Sequence, residues 1–242
     1  FINNIYTKNK TCITILTSGI YETSLFNKLR DVIEDNKLIF KVAFLPSFKG
    51  VKIRISSIDT NININIFYDF QKKIEDQISD YIFGYNEDKI EDVVAKMLLD
   101  KNLTLSVAES CTGGGLSKIL TSISGSSRFY KGGIVAYSNE IKINVLDIKK
   151  TLIDDNGPVS KEVADAMSMA IKNTFKTDIG ISITGISGPS GGSKEKPTGL
   201  VYISICMKKK KICKKFIFKT ERNIHRELTI SSSLNLLRRL LI

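Results

Sequence analysis

The segment LSVAESCTGGGLSKIL, residues 105–120, changes backbone period within a few positions. Leu105 to Ala108 form an apolar run, Glu109-Ser110-Cys111-Thr112 is a polar turn, and Gly113-Gly114-Gly115 leads into a helical repeat. A strand that feeds a helix is half of a crossover unit. Such strands sit in sheets covered on both faces.

The neighbouring segments extend that pattern. KIEDVVAKMLLDKN precedes it as an amphipathic helix, and GGIVAYS follows as a short apolar strand before NEIKINVLDI. VSKEVADAMSMAIKNTF is a helix with Ser160 as N-cap and Val163, Ala166, Met167, Ala170 and Ile171 facing inward. DIGISITG is a buried strand, ISGPSGGSKEKPTG a loop, and LVYISICM with KICKKFIFK a hairpin; a helix spans about 222–242. Alternating strands and helices closed by a hairpin predict a three-layer α/β/α domain with a mixed sheet, residues 88–242. Before it, residues 1–84 predict a small α+β domain. It has strands at TCITIL, LIFKVAFLP and VKIRISSI and helices at YETSLFNKLRDVIEDN and FYDFQKKIEDQISDYIF. NININI fits either period, and Gly84 reads as a helix stop and linker.

Composition removes several classes of function. No run of about 18 apolar residues exists, so no membrane partner is expected. The patch in FINNIYTKNKTCITIL is too short for an export signal, and the four cysteines form no CxxC pair. Reduced thiols and a cytoplasmic location are expected. The single histidine, His225, excludes HExxH and every zinc site needing two histidines, and it argues against a histidine-based dyad. The net charge of +11 is uneven: residues 1–89 carry 12 Lys/Arg against 11 Asp/Glu, and residues 90–242 carry 24 against 14. The basic half suits a phosphate-bearing ligand or weak, non-specific nucleic-acid contact. KKKKICKK at 208–215 reads as a hairpin tip.

The three glycines have two readings. Free N–H groups at a helix N-terminus make an anion or oxyanion cradle, or the glycines serve only a tight, closely packed turn. Neither GxGxxG nor GxxxxGK[ST] is present. A second glycine-rich loop, TGISGPSGG at 184–192, also follows a buried strand, and ligand sites in such sheets lie where strand ends converge. GPSGG matches the G-x-S-x-G elbow in form, but loop rather than helix follows it. A lysine or tyrosine can replace histidine beside a serine nucleophile. Ser110 stands at a strand end, and Tyr137, Asn139 and Lys142 cluster at the end of a neighbouring strand.

AESCTGGGLSKILTSISGSSRFYKGGIVAYSNEIK, GPVS, TGISGPSGGSKEKPTG and the later ER…R resemble, in order and spacing, the C-terminal domain of the CinA (competence/damage-inducible) proteins. VAFLPSFKGVKIRIS and DYIFGYNED resemble that family's small middle domain. Stand-alone versions of the C-terminal domain are nicotinamide mononucleotide (NMN) deamidases. The resemblance therefore implies a cytoplasmic amidohydrolase that forms nicotinic acid mononucleotide and ammonia, acts as a homodimer and needs no metal or cofactor. It implies Ser110 as nucleophile, Lys142 as base and Tyr137 as assistant. Thr184 and Arg222 match substrate-binding positions. Thr112, Gly113, Gly114, Asn139, Gly185 and Gly188 complete the expected site, with backbone N–H groups of 112–114 on the oxyanion and Arg222, aided by Arg226, on the phosphate. Lys142 must be neutral to act, yet at a pKa of about 10.4 only about 1 in 2,500 lysines is neutral at pH 7. Burial or a nearby cation lowers that pKa, whereas Glu109 or Glu140 close by would raise it. The competing reading is a basic nucleic-acid-binding competence or repair accessory without turnover.

Overall fold

A computed structural model describes residues 11–242, so the start of the stretch read as lacking an export signal lies outside the described residues. Two compact units divide at Val93/Val94.

In the first unit, β1 (Cys12–Thr17), β2 (Phe40–Ser47), β3 (Gly50–Ser57) and β4 (Ile82–Tyr85) form an antiparallel sheet in the order β2-β3-β1-β4. Helices α1 (Glu22–Glu34) and α2 (Ile64–Ile78) supply Leu25, Leu29, Phe67, Phe70, Ile74 and Ile78 to its core. Phe40 stacks on Phe70 at 4.2 Å between centroids, a contact that adds about 0.5–1.5 kcal/mol to plain burial. Asn63 caps α2 by accepting from the Asn65 N–H, so the ambiguous NININI enters the helix at Ile64. Gly84 corrects the reading as helix stop and linker. It lies inside β4 opposite Leu16, because the helix ends at Ile78 and a 3-10 turn at Ser79–Tyr81 returns the chain to the sheet. A Cβ at Gly84 would meet the Asp88 side chain at 2.7 Å, and Asp88 accepts from the Tyr85 N–H.

The second unit takes in the larger part of α3 (Ile90–Asp100), which leads into β5 (Leu105–Glu109). Then follow α4 (Gly115–Thr121), β6 (Tyr130–Val135), α5 (Asn139–Asn144), α6 (Lys150–Asn156), α7 (Lys161–Thr174), β7 (Ile179–Gly185), β8 (Leu200–Met207), β9 (Lys211–Ile217) and α8 (Arg222–Leu241). The sheet order is β6-β5-β7-β8-β9. β6, β5 and β7 run parallel, and β8 and β9 are antiparallel, which is the mixed sheet expected. Ser160 caps α7 through the Val163 N–H, and α7 packs over β5, β7 and β8 while α4 and α8 meet each other. Lys211, Lys214 and Lys215 lie on β9, so the lysine tract is an edge strand as well as a tip. Lysines there discourage edge-to-edge pairing. Among the described residues no helix is long and apolar enough to cross a membrane.

Candidate active site

Strand pleat decides which polar residue after β5 faces which layer. Ser106 donates to the Ile171 carbonyl of α7, and Ala108 packs with Val163, Met167 and Ile171. Odd-numbered side chains leave the opposite face. Glu109, 1% exposed, therefore turns to α4, where its carboxylate accepts from the Leu116 and Ser117 N–H groups and the Ser117 hydroxyl. Ser110, one step on, turns to the side of α5 and α7. Its N–H donates to the Ile183 carbonyl and continues the ladder with β7.

This decides between the two readings of the glycines. The positive end of α4 is filled by the protein's own Glu109, so it is no ligand cradle. Gly113 and Gly114 take positive φ (59° and 87°) to reverse the chain, and a Cβ at Gly115 would meet Ile230 of α8 at 2.7 Å. The Gly113 N–H closes a turn onto the Ser110 carbonyl.

Registers place Ala136, Ser110 and Thr184 side by side, one residue beyond the pairs Val135–Glu109–Ile183. Ser110 and Thr184 edge a cavity of about 330 Å³ at the carboxyl ends of the parallel strands, a volume suited to a small ligand. Ser110, Tyr137, Asn139, Lys142, Thr184, Gly185, Gly188 and Arg222, all expected from sequence, line it. Thr112, Gly113 and Gly114 do not. Thr112 is buried with its carbonyl accepting from Arg226, and the same Arg226 group would meet a Cβ at Gly113 at 3.2 Å. Arg226 therefore braces the back of the Ser110 turn and does not share Arg222's place at the cavity.

Ser138 caps α5 and sets Lys142 one turn in, 2% exposed. Its Nζ lies 2.9 Å from the Ala136 carbonyl, 3.4 Å from Ser110 Oγ and 3.5 Å from the Tyr137 carbonyl. Burial pulls its pKa below the ordinary lysine value, and Cys111 and Glu140 oppose that shift. Burial is the lowering influence; Glu109, facing the other layer, does not contribute. The Tyr137 hydroxyl is at the mouth, where it accepts from Arg222 Nη2 at 3.2 Å rather than meeting Lys142. Arg222, the first residue of α8, also donates through Nη1 to the Gly188 carbonyl at 2.9 Å. Thr184 donates to the Pro158 carbonyl.

Ser187, inside the second glycine-rich loop, and His225 were given no role in the site by the sequence motifs. Ser187 lines the cavity, and His225 lies behind it fully buried, with Ser187 Oγ 2.9 Å from Nδ1 and Nε2 3.1 Å from the Gly199 carbonyl. Cys111 also lines the cavity and meets Ser187; burial pushes its thiol up to about 11. The elbow-like Ser190 is in an irregular loop with no helix after it.

Residues 87–241 match the family model of the CinA C-terminal domain, and residues 14–84 match that of the damage-inducible protein CinA KH domain. A CinA-like protein of Trichodesmium erythraeum is 39% identical over 227 residues, covering 91% of this chain and 53% of that protein. The chain spans just over half the length of the curated relatives it matches. Among solved structures, a competence-damaged protein (CinA) superfamily protein of Klebsiella pneumoniae has a TM-score of 0.61 and 27% identity, covering 64% of this chain and 98% of its own. A competence or damage-inducible protein of Enterobacter asburiae has a TM-score of 0.61 and 28% identity, covering 64% and 100%.

Proposed function

The chain belongs to the CinA family through its C-terminal domain, and on that premise we propose that residues 88–242 hydrolyse the carboxamide of NMN to nicotinic acid mononucleotide and ammonia. Ser110 is the nucleophile and Lys142 the base in this reading. The observation that carries it is the setting of the Lys142 amine. A neutral amine has two N–H donors and one lone pair. Two backbone carbonyls, of Ala136 and Tyr137, stand ready for the N–H groups, which leaves the lone pair for the Ser110 hydroxyl. Burial favours the neutral form, and each unit taken off the pKa raises the neutral fraction about tenfold.

Ser110 Oγ attacks the carboxamide carbon while its proton passes to Lys142 Nζ. The Cys111 N–H, next in the chain and at the cavity wall, is the donor assigned to the oxyanion. The new ammonium then protonates the departing nitrogen, the C–N bond breaks and ammonia leaves an acyl ester on Ser110. Water attacks that ester, giving its proton to Lys142, which returns one to Ser110 as the C–O bond breaks. Arg222 at the mouth takes the phosphate, because a guanidinium grips it with parallel donors. Tyr137 and the Gly188 carbonyl hold Arg222 in place.

Ammonia release from NMN by the purified chain, beside Ser110→Ala, tests the reading. Turnover by the chain and none above background by the variant is expected. No release by the chain, or equal release by both, refutes it.

A further inference from the structure

His225 and Ser187 form a pair that the hydrolytic scheme does not use. The Gly199 carbonyl can only accept, so the bond at 3.1 Å places a proton on His225 Nε2. Burial outweighs the Gly199 bond, which favours the charged ring, and with the nearby Arg222 charge it favours the neutral ring. A neutral imidazole with its proton on Nε2 has a lone pair on Nδ1, so Ser187 must donate its only proton there. The ring cannot turn away: it is fully buried, Phe218 packs edge-on against it, and α8 fixes its backbone through the Glu221 carbonyl. Ser187, a residue of the cavity wall that is 4% exposed, thereby has an Oγ left with acceptor capacity only. With the Ser187 proton on His225, the neighbouring Cys111 thiol, kept protonated by burial, can face Ser187 only as a weak donor, which two lone pairs accommodate alongside another.

An acceptor that cannot become a donor discriminates by chemistry. It attracts a carboxamide –NH2 and repels a carboxylate, and these are the groups that distinguish substrate from product in the deamidation proposed above. We propose that Ser187 is a specificity-determining residue that touches the carboxamide nitrogen, and that His225 is a positioning residue that fixes the Ser187 hydroxyl as an acceptor. The pair favours entry of amide ligands and expulsion of the acid formed from them. This extends the deamidase reading and concerns the ligand's amide rather than the Ser110–Lys142 step.

Binding of NMN and of nicotinic acid mononucleotide to Ser110→Ala, measured by calorimetry, separates the two ideas because no turnover is needed. The amide is expected to bind at least about tenfold tighter than the acid, the scale of one hydrogen bond exchanged for a lone-pair repulsion. Adding Ser187→Ala should weaken the amide and tighten the acid, closing that gap. Adding His225→Phe, which leaves the hydroxyl free to rotate, should also close it with Ser187 intact. A structural defect would weaken both ligands together. An unchanged amide-to-acid ratio in Ser187→Ala, parallel losses of both ligands, or no preference before the second substitution each overturns the proposal. A preference that vanishes with Ser187→Ala, in a chain whose wild type releases no ammonia, would retain the amide-reading pair and remove the hydrolase.

Discussion

Arg222→Ala is expected to lower kcat/KM for NMN by two separable amounts. The guanidinium now donates to the Gly188 carbonyl at 2.9 Å and the Tyr137 hydroxyl at 3.2 Å, so it ties the loop after β7 to the segment after β6. Losing those ties loosens both walls of the cavity, at about 0.5–1.5 kcal/mol for each ordinary bond. That loss falls on every substrate. The second amount belongs to the phosphate, which the remaining donors of the fork are free to hold. A charge-assisted contact contributes about 1.5–3 kcal/mol, or roughly 10- to 150-fold. Arg222 is exposed, where water and salt screen the interaction, so the lower end applies. The assay compares NMN with nicotinamide riboside, which has the same carboxamide and no phosphate. The ratio of their kcat/KM values should fall about tenfold in Arg222→Ala and fall further in low salt than in high. Arg222→Lys should restore part of the ratio but not the bidentate grip. A ratio that stays constant while both substrates lose equally would show that Arg222 only braces the loops, and the phosphate partner would have to be sought on another element.

Ser110→Ala and Lys142→Ala should each abolish ammonia release, and the double variant should be no slower than the singles, because the two act as one unit; multiplied losses would separate them. Lys142→Met should raise stability to unfolding at pH 7, by about 1 kcal/mol, since it removes a buried ionisable group. The sign of the pH effect follows from the lowered pKa of Lys142. Between its folded value and about 10.4 the unfolded chain holds a proton that the native chain lacks, so stability rises with pH across that window and the penalty is present below it. Urea titrations between pH 7 and 10 should show the gap between Lys142→Met and wild type narrowing as pH rises; a constant gap would mean the amine is not destabilised by burial. Glu109→Gln should cost about 1.5–3 kcal/mol in the same measurement, because one of its two acceptor oxygens becomes a donor facing α4 N–H groups. Wild-type stability in that variant would deny Glu109 its role in holding the turn that carries Ser110.

Hydrophobic period made much of the fold legible. β5, β7 and the β8–β9 hairpin were readable as strands because local alternation or continuous burial needs no knowledge of distant partners. Ser160 was readable as a cap because capping acts within three residues. Gly84 was misread because glycine stops helices and also thins strands, and only the pairing with Leu16 chooses between them. Among site residues, Ser110, Tyr137, Asn139, Lys142, Thr184, Gly185, Gly188 and Arg222 were each named from motifs and meet at one cavity. Thr112, Gly113 and Gly114 were named for the same reason and do not, because a glycine-rich turn looks alike whether a ligand or the protein's own carboxylate fills the helix end.

The amino-acid sequence by itself determined the strand–turn–helix order, the mixed character of the sheet, and the presence of a serine and a lysine at neighbouring strand ends, since those follow from short-range periodicity. Only the tertiary structure decided that Glu109 and Ser110, adjacent in the chain, serve opposite layers of the sheet. It alone decided that Lys142 is desolvated and that Ser187 meets His225 across 38 positions. Hydrogen-bond direction and ionisation are set by what surrounds a side chain in space. Those surroundings come from strand register and helix packing, which no local stretch of sequence contains.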